Sequence, residues 1–134
     1  MEQIVGALII KSNRILLGLR AAERRFYPGV WDVFGGHVEA GESKEQALVR
    51  ELQEELGIQA KQCVHVETLQ IPDYVMPAKP LGLDLFLVTE WFGTPENMQP
   101  HEHVAIDWFT LEQAIKLNLA FPAYCDIFKK YLYL

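Results

Sequence analysis

Two cysteines, Cys63 and Cys125, are all that 134 residues contain, too few and too far apart for a disulfide framework or a thiolate metal site. That scarcity points to a reducing compartment. Long apolar runs are missing as well. The N-terminal run Ile4–Ile10 falls well short of the ~20 residues that span a bilayer, and no basic leader with a cleavage site precedes it. Basic side chains are in the minority, 12 against 18 acidic ones, for a net charge of −6. Such a balance argues against a general nucleic-acid surface. Repeats, low-complexity tracts and linkers are absent too. The expectation is therefore a single cytoplasmic domain over residues 1–134, with neither nucleic acid nor membrane as partner and a homodimer left open.

What is present suits a packed core. Half of the residues are apolar and 22% charged, the composition of a globular domain long enough to fold without staples. Gln3–Ile10 reads as a buried strand, Lys11-Ser12-Asn13 as a turn and Ile15–Leu19 as the returning strand of a hairpin. A basic loop with Arg20, Arg24 and Arg25 follows, and Val30–Phe34 reads as a short strand leading into Gly35-Gly36. Lys61–Ile71 has strand composition without clean alternation. Pro72, Pro77 and Pro80 exclude helix or central strand from the next segment. Leu81–Trp91 alternates as a strand, Gly93–His103 is a polar loop, and Val104–Phe109 is another strand. Thr110 with Gln113 forms a capping-box pattern for a helix to about Asn118, and Pro122 opens a last helix with Ile127, Phe128, Tyr131 and Leu132 on its apolar face. This order suits a three-layer α/β/α sandwich around a mixed sheet.

The stretch from Gly36 to Ile58 carries the chemistry. Ser43 with Gln46 makes a second capping box, and Gly57 supplies a left-handed C-terminal cap, so a helix is expected between them. At about 100° per residue, Leu48, Val49, Leu52 and Leu56 share a core-facing arc, while Glu51, Glu54 and Glu55 share another. Like charges at such spacing cost a helix roughly a few tenths of a kcal/mol per pair. A solvated acidic face is one account of them. A site for a hard divalent cation with oxygen ligands, Mg2+ or Mn2+, is the other.

The full pattern decides between the two. Gly36-x5-Glu42-x7-Arg50-Glu51-Leu52-x-Glu54-Glu55-x-Gly57-Ile58 should recur by chance on the order of once in 10⁸ starts at ordinary residue frequencies. It resembles the Nudix box, and the chain resembles Nudix hydrolases along nearly its whole length. The resemblance implies hydrolysis of a nucleoside diphosphate linked to another group, with Mg2+ or Mn2+ as cofactor. Glu51, Glu54 and Glu55 would then ligate metal, with Gly36 offering its carbonyl or a close approach. Arg50 and Glu42 would brace them. Glu51 or Glu54, and after them Glu102, would serve as base. His101 and His103 flank Glu102 but make only half of a zinc set.

Arg20-Ala21-Ala22 and the Trp31–Gly36 segment resemble the MutT-type nucleoside triphosphate pyrophosphohydrolases. Arg20, Arg24 and Arg25 are the expected phosphate clamp, since a guanidinium fork matches phosphate oxygens. Gly35, Gly36 and Phe34 would approach the substrate. His37 would be structural or a substrate contact. Departures are Phe34-Gly35-Gly36 in place of Pro-Gly-Gly, and Tyr124 where readers of oxidised guanine carry asparagine. Tyr124 is expected to offer a stacking face and one hydroxyl, which predicts modest discrimination among bases. Dinucleoside polyphosphates, with Tyr74 as a stacking residue, and nucleotide sugars or ADP-ribose are the alternative substrates. A non-catalytic nucleotide-binding module is the alternative outside enzymes, and an isoprenoid diphosphate isomerase lacks its cysteine here.

Overall fold

In the computed structural model, which describes residues 3–22, 28–71 and 81–133, the first strand β1 (Gln3–Lys11) runs between two cores. Its side chains alternate between them. Val5, Ala7 and Ile9 enter one apolar cluster, and Leu8, with Ile4 and Ile10 beside it, enters the other. Period-two alternation with both faces apolar is what a central strand between helical layers requires.

A turn with Ser12 and Asn13 at φ 52 and 58 joins β1 to β2 (Arg14–Arg20), confirming the hairpin. The expected strand Val30–Phe34 is two strands instead. Trp31–Asp32 (β3) pairs with β2, and Phe34–His37 (β4) pairs with β1, so the chain changes partner at Val33. The Val33 N–H leaves the ladder and donates to its neighbour, Asp32 Oδ1, at 2.8 Å. Gly35 and Gly36 belong to β4 and lie opposite Gly6 and Val5.

After the helix α1 (Lys44–Leu56) come β5 (Gln59–Ala60), β6 (Val64–Ile71), β7 (Leu81–Val88), β8 (Trp91–Phe92) and β9 (His103–Phe109). A bulge between His65 and Glu67 breaks the register of β6 against β7, which accounts for its irregular alternation. The Leu81–Trp91 strand ends earlier than expected, at Val88, because Trp91 belongs to a separate ribbon with β5. The main sheet runs β3-β2-β1-β7-β6, with β4 added on β1 and β9 on β2. Its β1–β7 pair is parallel and the other pairs antiparallel, so the sheet is mixed as expected.

On one face lies α1, with Leu48, Leu52 and Leu56 fully buried against Phe34, Phe86 and Val88. Each such leucine contributes roughly 1.5–3 kcal/mol of transfer free energy. On the other face lie α2 (Leu111–Ala114) and α3 (Ala123–Tyr131), which seal the second cluster through Leu111, Ile127 and Phe128. Both capping boxes form as predicted. The α2 helix nevertheless stops at Ala114, short of Asn118. Its continuation is drawn to the sheet, where Trp31 N–H donates to Asn118 O and Ala120 N–H to Trp31 O, each at 2.9 Å.

Candidate active site

Arg50 is the hub from which the site is built. Its Nε–H and one terminal N–H donate to the two oxygens of Glu42 at 2.8 and 3.0 Å, a bidentate pair. The remaining donors reach Glu51 Oε1 at 2.9 Å, Glu54 Oε2 at 3.4 Å and the His37 carbonyl at 3.1 Å. Only a planar guanidinium offers enough donors in a fixed fork for this. The arrangement explains how the helix tolerates its acidic face. The Glu42 carboxyl is held down at about 2, mainly by the Arg50 hydrogen bond and secondly by the Glu39 amide. Arg50 is correspondingly pushed further up by Glu42. Burial raises the pKa of Glu51, against the pull of Arg50, with Glu54 and Glu102 adding to the rise.

The three glutamates do not share one environment. Glu54 is half-exposed, with 48% of its side chain accessible. Glu51 is tucked under β4, where a Cβ built on Gly36 would stand 2.5 Å from its carboxylate. Glu55 is 6% exposed, and its Oε2 accepts the Gly35 N–H at 3.0 Å. They keep to one arc of the helix, and Glu55 is the one at its buried edge. Glu55 lies three residues after Leu52 and seven after Leu48, a spacing that returns it to the core stripe. Gly35 is fixed for a related reason, because an added Cβ would meet Val5 O at 1.9 Å.

Glu55 faces residues that arrive from the far end of the sequence, at the start of β9. One ligand atom each from Glu55, Glu102 and His103 lie within 4.8 Å of one another. His103 is paired with Arg20 across the β2–β9 ladder, next to a bulge. The Ala21 N–H donates to Glu102 O at 2.9 Å. Arg20 and Glu102 are thereby brought to the same end of the sheet.

A cavity of about 180 Å³ leads away from this cluster. It is lined by Arg20, Asp32, Gly35, Glu55, Phe121 and Tyr124, with Val33, Ile71 and Leu83 among its apolar walls. Its walls come from the segment around Asp32 and Val33, from Leu83 of β7, and from Phe121 and Tyr124. Two side chains sit differently than expected. Phe34 is 1% exposed and packs in the α1 core with its ring 5.0 Å from that of His103, so its side chain is a wall behind the site and not a substrate contact. Tyr124 is fully buried, its ring stacked on Phe128 at 5.6 Å and 18° and edge-on to Phe121 at 5.3 Å. Its hydroxyl donates to Asp32 Oδ1 at 2.7 Å. The stacking face expected of Tyr124 is already covered by the protein.

Asp32 is the residue that sequence reasoning missed, and His103 was weighed only as half of a zinc pair. Asp32 had a signal, a carboxylate set between Trp31 and Val33 in a strand entering the glycines. His103 had a weaker one, its place beside Glu102. Arg24, Arg25 and Tyr74 lie outside the described residues.

A mixed sheet between helical layers, with an Arg-Glu-x-x-Glu-Glu helix bracketed to a glycine strand, defines a Nudix-type hydrolase. The chain belongs to that family: the NUDIX domain matches residues 2–129. It is 38% identical over 120 residues to the CTP pyrophosphohydrolase of Escherichia coli K12, covering 90% of this chain and 84% of that protein. It is 35% identical over 108 residues to the 8-oxo-dGTP diphosphatase of the same strain, covering 79% of this chain and 81% of that one. Among solved structures, the E. coli ORF135 protein superposes with a TM-score of 0.78 at 35% identity, over 98% of this chain and 88% of the other. A MutT NUDIX hydrolase from Burkholderia pseudomallei gives 0.76 at 30% identity, over 84% of each. Nudix hydrolases generally need a divalent metal. The donors here fit one: carboxylates of graded burial, and a glycine at position 36 where any Cβ would displace the Glu51 carboxylate.

Proposed function

We propose that this chain hydrolyses a nucleoside triphosphate to the monophosphate and pyrophosphate, with Mg2+ or Mn2+ held by Glu51, Glu54 and Glu55. The observation that carries the reading is the cavity that runs from the Glu55 carboxylate to Asp32 and Tyr124. At about 180 Å³ it is smaller than the roughly 300–1,000 Å³ that enclose drug-sized ligands. That size suits one planar base, with the phosphates left outside along the glutamates. The metal would neutralise phosphate charge, hold the attacked phosphorus in line and lower the pKa of water.

The protein's own groups then divide the remaining work. Arg20 binds phosphate, with Arg24 and Arg25 as further clamp residues. Arg50 and Glu42 hold Glu51 against the glycine strand. Glu54, the most exposed carboxylate of the three, is the favoured base, ahead of Glu51 and Glu102. Asp32, anchored by Tyr124, reads the base edge. An ionised carboxylate only accepts hydrogen bonds; an exocyclic amino group can donate to it, whereas uracil and thymine offer only a ring N–H, so bases with an amino group should be preferred. The similarity to a CTP pyrophosphohydrolase supports cytosine as the first base to test.

We place the protein in the cytoplasm, because both cysteines are free, and expect no nucleic-acid partner given the charge of −6. No helix among the described residues is long and apolar enough to cross a membrane. The test is a screen of nucleoside triphosphates, nucleotide sugars, ADP-ribose and dinucleoside polyphosphates with product identification. CTP or dCTP should yield pyrophosphate, EDTA should abolish turnover, and Glu54→Gln should cut kcat by orders of magnitude. Full activity in excess EDTA, or release of phosphate in place of pyrophosphate, would refute the assignment.

A further inference from the structure

The place of His103 is not explained by the nucleotide chemistry. It is 3% exposed, its ring is packed against Phe34 at 5.0 Å, and its room is provided by Gly18. A Cβ built there would stand 2.7 Å from the His103 ring and 2.8 Å from Phe34. Its backbone is fixed from both sides, by the ladder with Arg20 and by Asn97 Nδ2, which donates to His103 O at 2.7 Å. A rigid imidazole is thus delivered to two carboxylates from different elements, Glu55 of α1 and Glu102 of the preceding turn, with one donor atom of each within 4.8 Å. Two of these three side chains, Glu55 and His103, are buried.

We propose that His103, with Glu55 and Glu102, forms a metal position whose nitrogen donor biases the protein toward Mn2+ over Mg2+. Oxygen donors alone serve Mg2+ well. Magnesium sheds its water reluctantly and gains little from an imidazole, whereas first-row transition ions bind it more strongly. The position shares Glu55 with the oxygen set of Glu51 and Glu54, so nitrogen enters at the edge of the same site and not at a remote one. The competing account makes His103 a hydrogen-bond partner that orients a carboxylate without touching the ion. The two accounts differ in what surrounds the metal.

The proposal rests on the metal requirement of the proposed function and is independent of the nucleotide. The experiment loads the full chain with Mn2+ in the absence of nucleotide and records the electron spin-echo envelope. Modulation from a coordinated ¹⁴N is expected, and it should change to the ¹⁵N pattern when histidine is ¹⁵N-labelled. His103→Gln should remove it, while the other three histidines, replaced singly as His37→Gln, His65→Gln and His101→Gln, should leave it. Those single variants assign the signal even if His103→Gln does not fold. In parallel titrations, His103→Gln should weaken Mn2+ binding by about tenfold or more and Mg2+ binding far less. Absence of nitrogen modulation in the Mn2+-loaded chain overturns the proposal, as does an equal loss of affinity for both ions. If Mg2+-supported hydrolysis persists in that case, only this inference falls. If Mn2+ does not bind at all, the metal part of the proposed function falls with it.

Discussion

Tyr124→Phe separates two accounts of the base pocket with the loss of a single oxygen atom. The ring is held by Phe128 and Phe121, and phenylalanine keeps that packing. What disappears is the hydroxyl donor to Asp32 Oδ1 at 2.7 Å. Hydrogen bonds to a charged acceptor contribute about 1.5–3 kcal/mol net. The lower part of that range applies, because Asp32 keeps the Val33 N–H at 2.8 Å and the Arg20 guanidinium at 4.0 Å. A loss of about 1.5–2 kcal/mol in a chain of this length corresponds to a fall in Tm of roughly 5–8 °C. Differential scanning calorimetry of the two proteins measures it.

The functional half of the prediction follows from the same bond. With its anchor gone, the Asp32 carboxylate can turn, and the ratio of kcat/KM for CTP over UTP should drop toward unity. Asp32→Asn should lower that ratio in the same way, and the double variant should do no more than either alone. Residues acting through one hydrogen bond are not additive. A Tyr124 that presented its face to a base would behave differently: Tyr124→Phe would leave Tm within about a degree and alter KM for all bases alike. That result would refute the reading of Asp32 as the base reader.

Gly36→Ala should leave the fold intact by circular dichroism yet sharply weaken metal binding, because its Cβ would stand 2.5 Å from the Glu51 carboxylate; unchanged metal affinity in calorimetry would detach Glu51 from the metal site. Arg20→Ala should mainly raise KM for every triphosphate, since removing an interaction that is equally strong in the ground and transition states leaves kcat alone; an unchanged KM would return the phosphate role to Arg24 and Arg25. Glu42 has a folded pKa near 2, depressed from 4.5, so its contribution to stability is fully present above pH 4.5 and is lost as pH falls toward 2. Glu42→Gln should accordingly be less stable than the wild type at neutral pH, with the gap closing across that acid window. A gap that stayed constant to pH 2 in denaturant titrations would contradict the Arg50 bracket.

The parts of this architecture that could be read from sequence are those set by neighbours within a few residues. Ser43 with Gln46, Thr110 with Gln113 and Gly57 mark helix ends because capping is a local exchange of hydrogen bonds. The Ser12–Asn13 turn is local in the same sense. What escaped reading was decided by distant partners. Val30–Phe34 looks like one strand, and only the competition between β2 and β1 for its edge splits it at Val33. The helix after Thr110 has no breaker before Asn118, yet hydrogen bonds to Trp31 end it early. Tyr124 looks like a base-stacking residue by analogy alone. Its burial depends on Phe128 and on Asp32, 92 residues away, and neither proximity is visible in a linear pattern.

The same division explains how α1 and the Glu102 loop come to act together. A helix leaves its last carbonyls without partners, and Gly57 meets only part of that need, its N–H donating to Gln53 O at 3.0 Å. The segment after β8 supplies more. The Glu96 N–H donates to Leu56 O and the Met98 N–H to Glu55 O, each at 3.0 Å. Gly93, at φ 95, permits the approach, since a Cβ there would stand 3.3 Å from Gly57 O. From that attachment the chain is tied stepwise to the site. Asn97 holds His103 O, and the Glu102 N–H donates to Gln99 O at 2.9 Å. The backbone of Glu55 is therefore bonded to the loop that delivers Glu102 and His103 to its side chain. Capping the helix and assembling the acidic cluster are one structural event, so a change that frees the loop from the helix end would dismantle the cluster without altering any of its side chains.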